Sequence, residues 1–187
     1  MNDLASLLGA VYVASEIGLS AFKRAQGGTK LADRGSLSLI WIIVSISVFC
    51  AFAVRFAFPA TGFGAVSAPA RALGAVFFVL GLSLRWSAII YLGRFFTVNV
   101  AIASDHRLID AGPYRYVRHP SYTGALMAFL GLGLCIANAV SLAVIFVPIF
   151  LVFLHRMRIE EAALLQGLGD QYRSYMHRTK RLIPGIY

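Results

Sequence analysis

The sequence predicts an all-α integral membrane protein: five transmembrane helices, the last two forming a C-terminal helical hairpin, with a cytoplasmic cap built from a loop and a C-terminal amphipathic helix. Three observations carry that reading. Of the 187 residues, 59% are apolar and only 13% charged, whereas roughly a quarter of residues are charged in an ordinary soluble domain. Apolar stretches near the roughly 20 residues needed to cross a hydrocarbon layer recur along the chain. Fourteen of the 17 lysines and arginines fall in three segments between or after those stretches. The hydrophobicity excludes a disordered chain, and its spread along the chain argues against a cleaved leader followed by a soluble domain.

Residues 4–22 form the first stretch, with one acid, Glu16; residues 37–58 form the second, with Arg55 near its end; residues 70–93 form the third, interrupted by Arg71 and Arg85. Residues 122–154 carry no formal charge over 33 positions. That length is too great for one crossing and short for two full ones. Asn138 and Ser141 near its middle predict two short helices joined in a hairpin, and Pro148 is expected to kink the second. The intramembrane charges need partners or an interface to reach. Arg55 and Arg71 can snorkel, whereas Glu16 and Arg85 call for partners that spacing does not name.

Orientation follows from the basic residues. Lys23, Arg24, Lys30 and Arg34 lie in the loop 23–36; Arg94, Arg107, Arg115 and Arg118 lie in the loop 94–121; Arg156, Arg158, Arg173, Arg178, Lys180 and Arg181 lie after residue 154. In an odd-numbered bundle all three segments share one face, which the positive-inside rule makes cytoplasmic. The expected arrangement is a multi-pass protein of a bacterial inner membrane with its N-terminus outside. It divides into N-terminal helices (1–93), a cytoplasmic loop (94–121), a helical hairpin (122–154) and a C-terminal helix and tail (155–187). The formal net charge of +9 is then explained by topology and an anionic leaflet, with no nucleic-acid partner. Cys50 and Cys135 lie in apolar stretches without metal-ligand company, so they read as buried small hydrophobes, and no metal site is expected.

Chemistry on a water-soluble reagent belongs to the two polar segments. The first opens with residues 95–103, whose composition allows a short extended stretch, and turns at Asp110, Ala111, Gly112 and Pro113. It ends in Arg118, His119, Pro120, Ser121 and Tyr122. Pro120 pushes His119 out of helical conformation and suits the first position of the next helix. His119 thus stands at a helix N-terminus, where unpartnered N–H groups favour an anion. The second segment spaces Met157, Leu164, Leu168, Tyr172 and Tyr175 as one apolar helix face, with bends expected at Gly167 and Gly169. Its charges suggest an Arg156–Glu160 pair at i, i+4 and an Arg158–Glu161 pair at i, i+3 on a solvated face.

The run Gly112, Pro113, Tyr114, Arg115, Tyr116, Val117, Arg118, His119, Pro120, Ser121, Tyr122, Thr123, Gly124 resembles the signature of the isoprenylcysteine carboxyl methyltransferases and the related phospholipid methyltransferases. A second ordered match follows at Arg156, Glu160, Glu161, Leu164, Gly169, Tyr172, Tyr175, Arg181, Leu182, Ile183 and Pro184. The resemblance covers residue 92 onward; its acidic run has two residues where relatives often have three or four. It implies methyl transfer from S-adenosylmethionine, the expected cofactor, to a lipophilic small-molecule or prenylated acceptor among membrane lipids. The cofactor wall it implies comprises Leu108, Ile109, Gly112, Tyr114, His119, Pro120 and Tyr122, with Glu160 and Glu161 opposite and Arg156 on the acceptor side. Arg156, Arg118 and His119 are the residues expected to act on the reaction. The chemistry of the residues agrees: carboxylates suit the ribose hydroxyls and the amine, while the helix N-terminus and Arg118 suit the carboxylate of the cofactor. A gap near Gly124, Gly131 and Gly133 would admit a lipid chain, but tight helix packing is the preferred reading of those glycines. The alternatives are methylation of a phospholipid amine or a small thiol, and an NADPH-dependent membrane reductase of the steroid reductase type.

Overall fold

The computed structural model describes residues 3–22, 30–31, 35–96, 101–102 and 108–187. Lys23, Arg24, Arg34 and Arg107, which the sequence assigns to the cytoplasmic side, lie outside the described residues, as does much of the expected extended stretch at 95–103. Within that stretch Ala101–Ile102 pairs antiparallel with Lys30–Leu31, a two-residue ladder in an otherwise helical chain.

Six helices carry the fold among the described residues: α1 (Asp3–Phe22), α2 (Ser36–Ala57), α3 (Ser67–Leu92), α4 (Pro120–Ile136), α5 (Ala139–Leu168) and α6 (Asp170–Arg178). Three helical spans are long and apolar enough to cross a membrane, Ser36–Ala57, Gly64–Leu92 and Ala139–Leu168; α1 and α4 are shorter apolar helices. The uncharged region breaks where Asn138 stands. Ala137 adopts the left-handed conformation at φ 57°, and the Asn138 side chain then caps α5 by accepting from the Ser141 N–H at 2.9 Å. The Asn138 amide donates to the Phe58 carbonyl and to Thr61 Oγ1, tying the hairpin turn to the α2–α3 connection. Pro148 lies inside α5, which runs on as one assigned helix of 30 residues, about 45 Å at the usual rise. That exceeds the roughly 30 Å of a hydrocarbon core, so one end of α5 can project into water. Of the two glycines expected to interrupt this region, Gly167 stays inside α5 and Gly169, at φ 54°, separates it from α6.

Glycines decide how α3 meets α4. A Cβ on Gly81 would lie 2.5 Å from the Gly124 carbonyl oxygen, and one on Gly131 would lie 2.5 Å from that of Gly74. The two backbones therefore touch, and any larger residue would force them apart. Gly133 instead faces side chains of α5, with a Cβ there 2.5 Å from a Leu142 methyl carbon and 3.1 Å from one of Ile145. The α3–α4 seam is thus closed by packing, and the lipid passage envisaged beside these glycines does not run through it.

The charges left without partners by the sequence find each other. Arg85 donates from Nε and Nη2 to the two oxygens of Glu16 at 2.7 and 2.8 Å, joining α3 to α1. A third Arg85 donor, Nη1, reaches the Ser121 carbonyl at 3.3 Å in the first turn of α4. One residue along on the same pair of helices, Trp86 Nε1 donates to Ser15 Oγ at 2.7 Å.

Candidate active site

The site assembles where the first turn of α4 meets the end of α5 and the C-terminal tail. Pro120 opens α4 and His119 precedes it at φ −125°, as the His-Pro pair dictates. The tail returns alongside: Arg118 N–H donates to the Lys180 carbonyl at 2.8 Å and His119 N–H to that of Arg181 at 3.0 Å. Thr123 Oγ1 donates to the Leu182 carbonyl at 2.9 Å. Tail carbonyls thus take the two backbone donors that immediately precede α4 and the Thr123 hydroxyl in its first turn.

Glu161 occupies the centre of this junction and is only 4% exposed. His119 Nε2–H donates to its Oε1 at 3.2 Å, Arg118 Nε to Oε1 at 3.0 Å, and Arg181 Nη2 to Oε2 at 2.7 Å. An ionised carboxylate only accepts, so the proton of His119 that faces it is on Nε2. The expected Arg158–Glu161 pair on a solvated face is therefore replaced. Arg158 stays exposed, and Glu161 turns inward to partners far away in sequence. Its hydrogen bonds hold the Arg181 guanidinium above its ordinary pKa.

Glu160 is disposed differently. It is half-buried, and its Oε2 accepts from the Tyr122 hydroxyl at 3.1 Å. One helical turn earlier Arg156 is 3% exposed, donates from Nη1 to Ser36 Oγ at the start of α2, and acts with its charge on Tyr122. Tyr122 also sets its ring edge-on to His119, with centroids 5.6 Å apart.

The loop before α4 closes the other side. Gly112 has φ +58°, and a Cβ there would lie 2.6 Å from the Tyr91 ring, so both backbone and space require glycine. Tyr114 is buried, donates to the Ala88 carbonyl at 3.3 Å and accepts from the Tyr175 hydroxyl at its own carbonyl at 2.6 Å. Burial, and after it the negative charge of Glu160, pushes the Tyr114 hydroxyl above its ordinary pKa. Leu108 and Ile109 are half-buried at the start of this segment. Residues separated by 38 positions or more, Tyr114, His119 and Tyr122 on one side and Glu160 and Glu161 on the other, are thus neighbours.

The profile of the Isoprenylcysteine carboxyl methyltransferase (ICMT) family matches residues 73–166, just over half of the chain. The chain belongs to the isoprenylcysteine carboxyl methyltransferase family. A protein-S-isoprenylcysteine O-methyltransferase of Schizosaccharomyces pombe is 38% identical over 112 residues, 59% of this chain and 48% of that protein. Protein-S-isoprenylcysteine O-methyltransferase B of Arabidopsis thaliana is 35% identical over 115 residues, 60% of this chain and 58% of that protein. The solved structure of the eukaryotic intramembrane Ras methyltransferase ICMT superposes with a TM-score of 0.66 at 30% identity, covering 80% of this chain and 53% of that one. The chain spans about half the length of the curated relatives it matches. Fold and apolar helices together make this ICMT family member a multi-pass integral membrane protein. These relatives are eukaryotic and lend no support to a bacterial inner membrane.

Several groups of this junction escape sequence reasoning. Arg181 was visible only as part of the downstream match, yet it makes the shortest contact to Glu161. Ser36 accepts from Arg156 across 120 residues of chain, and Thr123 and Tyr175, visible as members of the two matching runs, gave no sign there that they bond to the Leu182 and Tyr114 carbonyls. An isolated serine carries no spacing signal that could have found Ser36.

Proposed function

We propose that the chain transfers a methyl group from S-adenosylmethionine to the carboxylate of a prenylcysteine or a similar isoprenoid compound, at the cytoplasmic surface of its membrane. In this reading α1 and α4 complete five crossings, the N-terminus lies outside, and the loop before α4 caps the site together with the end of α5 and α6. The family match favours this activity over phospholipid-amine methylation and nicotinamide-dependent reduction. The observation that carries it is the Tyr122–Glu160 contact beside the His119–Glu161 contact, which brings both signature segments to one place.

The residues fit the proposed cofactor. Glu160, whose half-buried carboxylate accepts from Tyr122, is suited to hydroxyls or an ammonium group, and Tyr114, Pro120, Tyr122, Leu108 and Ile109 offer aromatic and aliphatic walls. Glu161 is already matched by two guanidinium groups and an imidazole. Its proposed share in the site is to position His119 and Arg118, with Glu160 taking the direct contact. S-adenosylmethionine supplies an electrophilic methyl group on a sulfonium sulfur. An acceptor carboxylate is ionised at neutral pH, so the chain needs no general base. Its residues act by alignment and by excluding water from the nucleophile. Arg156, anchored by Ser36, holds the acceptor carboxylate in line, and the glycine-closed α3–α4 seam directs the lipid chain to another side of the bundle.

The test is transfer of labelled methyl by purified protein in vesicles, offered prenylcysteine analogues, phospholipids and a small thiol in parallel. Label should enter the prenylcysteine as a base-labile ester, and Arg156→Ala should lower turnover while cofactor affinity stays within a few-fold. Label appearing only in phospholipid or thiol, or in none, would overturn the acceptor assignment.

A further inference from the structure

Beyond the site, residues 183–187 fold into an exposed apolar tip. Ile183, Ile186 and Tyr187 are 49, 75 and 39% exposed. The segment is folded back on itself, with the Leu182 and Ile183 N–H groups both donating to the Tyr187 carbonyl at 2.7 Å and Arg181 lying over the Tyr187 ring. Its depth is fixed by Leu182, which is buried in the same core as residues of the membrane helices and is held by Thr123 in the first turn of α4. The tip therefore lies level with the end of an apolar helix, where a bilayer passes from acyl chains to headgroups.

Basic residues lie on the two segments that lead into the tip. Val117 bridges to Lys180, and just before it Arg115 and Tyr116 are exposed, as is Lys180 itself. Arg178 and Arg173 are matched by Asp110 and Asp170, whereas Arg115 and Lys180 form no ion pair among the described residues. Aliphatic and tyrosine side chains flanked by unmatched cations at this depth suit an interface of acyl chains and anionic headgroups.

We propose that the Ile183–Tyr187 tip is an interfacial anchor that inserts into its own bilayer and recruits anionic lipid headgroups through Arg115 and Lys180. Since Arg181 joins Tyr187 to Glu161, insertion steadies the junction at His119 from outside. The proposal is independent of what the site methylates, because its test reads depth and not turnover.

The experiment places a spin label at Ile186→Cys in a Cys50→Ala/Cys135→Ala background and reconstitutes the full chain in phosphatidylcholine vesicles with or without phosphatidylglycerol. With phosphatidylglycerol, collisions with oxygen should exceed those with a water-soluble nickel complex. Arg115→Gln/Lys180→Gln should lower insertion roughly thirty-fold, two increments of about 1 kcal/mol each. Nickel-dominated collisions in every vesicle would overturn the anchor, and dipolar broadening would assign the tip to a second copy instead. Insertion indifferent to the double substitution would overturn headgroup recruitment. Should the cysteine-free background fail to fold, Ile186→Trp in the otherwise native chain, read by quenching with lipids brominated near the headgroup, gives the same decision.

Discussion

Glu161 Oε1 lies 3.2 Å from His119 Nε2, across 42 residues of chain, and that contact joins the helix-opening His-Pro pair to the end of α5. Arg118 and Arg181 complete the junction from two further segments. One carboxylate therefore fixes the relative position of loop, helix and tail, and its loss exposes how much of the cap depends on it.

Glu161→Gln leaves two guanidinium groups at a buried position without their counter-charge. Removing one member of a buried ion pair costs about 3 kcal/mol, which for a chain of this size lowers the unfolding midpoint by roughly 10 °C. Thermal unfolding of purified protein checks this, with Arg158→Gln as the exposed control that should leave the midpoint unchanged. Equal midpoints for Glu161→Gln and the parent would remove Glu161 from its structural role.

The Arg85–Glu16 pair makes a parallel case inside the helical bundle. Glu16→Ala abandons Arg85 among apolar helices and should destabilise by about 3–5 kcal/mol. Replacing both, as Glu16→Leu/Arg85→Met, should recover a large part of that loss, because no unpaired charge remains. A double variant as unstable as the single one would show that packing at these positions, and not charge pairing, matters.

Alkaline pH should loosen the cap through Tyr175. Burial, against opposing contributions from the Thr179 hydrogen bond and Arg118, leaves its hydroxyl pushed up to about 12 from an ordinary 10. A folded pKa above the unfolded one means that the contribution is complete below about pH 10 and is lost as pH rises towards 12. Stability measured by denaturant should therefore fall across that window, and Tyr175→Phe should flatten the fall while costing about 1 kcal/mol at neutral pH for the lost bond to the Tyr114 carbonyl. A parent chain whose stability is level from pH 9 to 12 would contradict this account of the tail.

What could be read in the sequence was local. The hairpin turn at Asn138 was legible because an asparagine cap interrupts an uncharged run, and the His119–Pro120 start of α4 because proline restricts its neighbour. The five apolar stretches are all helical, while the count of full crossings rests on more than length. Pairings across long separations were not legible. Spacing offered Arg158 to Glu161 because both share a helix, and could not weigh Arg118 and Arg181, which reach Glu161 only after the tail folds back. Glu16 and Arg85 were recognisable as charges in need of partners, but their 69-residue separation hid that each was the answer to the other. The glycines of α4 were ambiguous for the same reason: their meaning came from Gly74 and Gly81 on α3.

The central claim is that the half-buried carboxylate beside Tyr122 receives a sulfonium cofactor, and calorimetric titration with S-adenosylmethionine and its demethylated product tests it most directly. The parent chain should bind both. Glu160→Gln should weaken binding about ten- to a hundred-fold, the loss of one charge-assisted hydrogen bond of roughly 1.5–3 kcal/mol, at an unchanged unfolding midpoint. No heat with either compound, or an affinity indifferent to Glu160→Gln, would contradict the account.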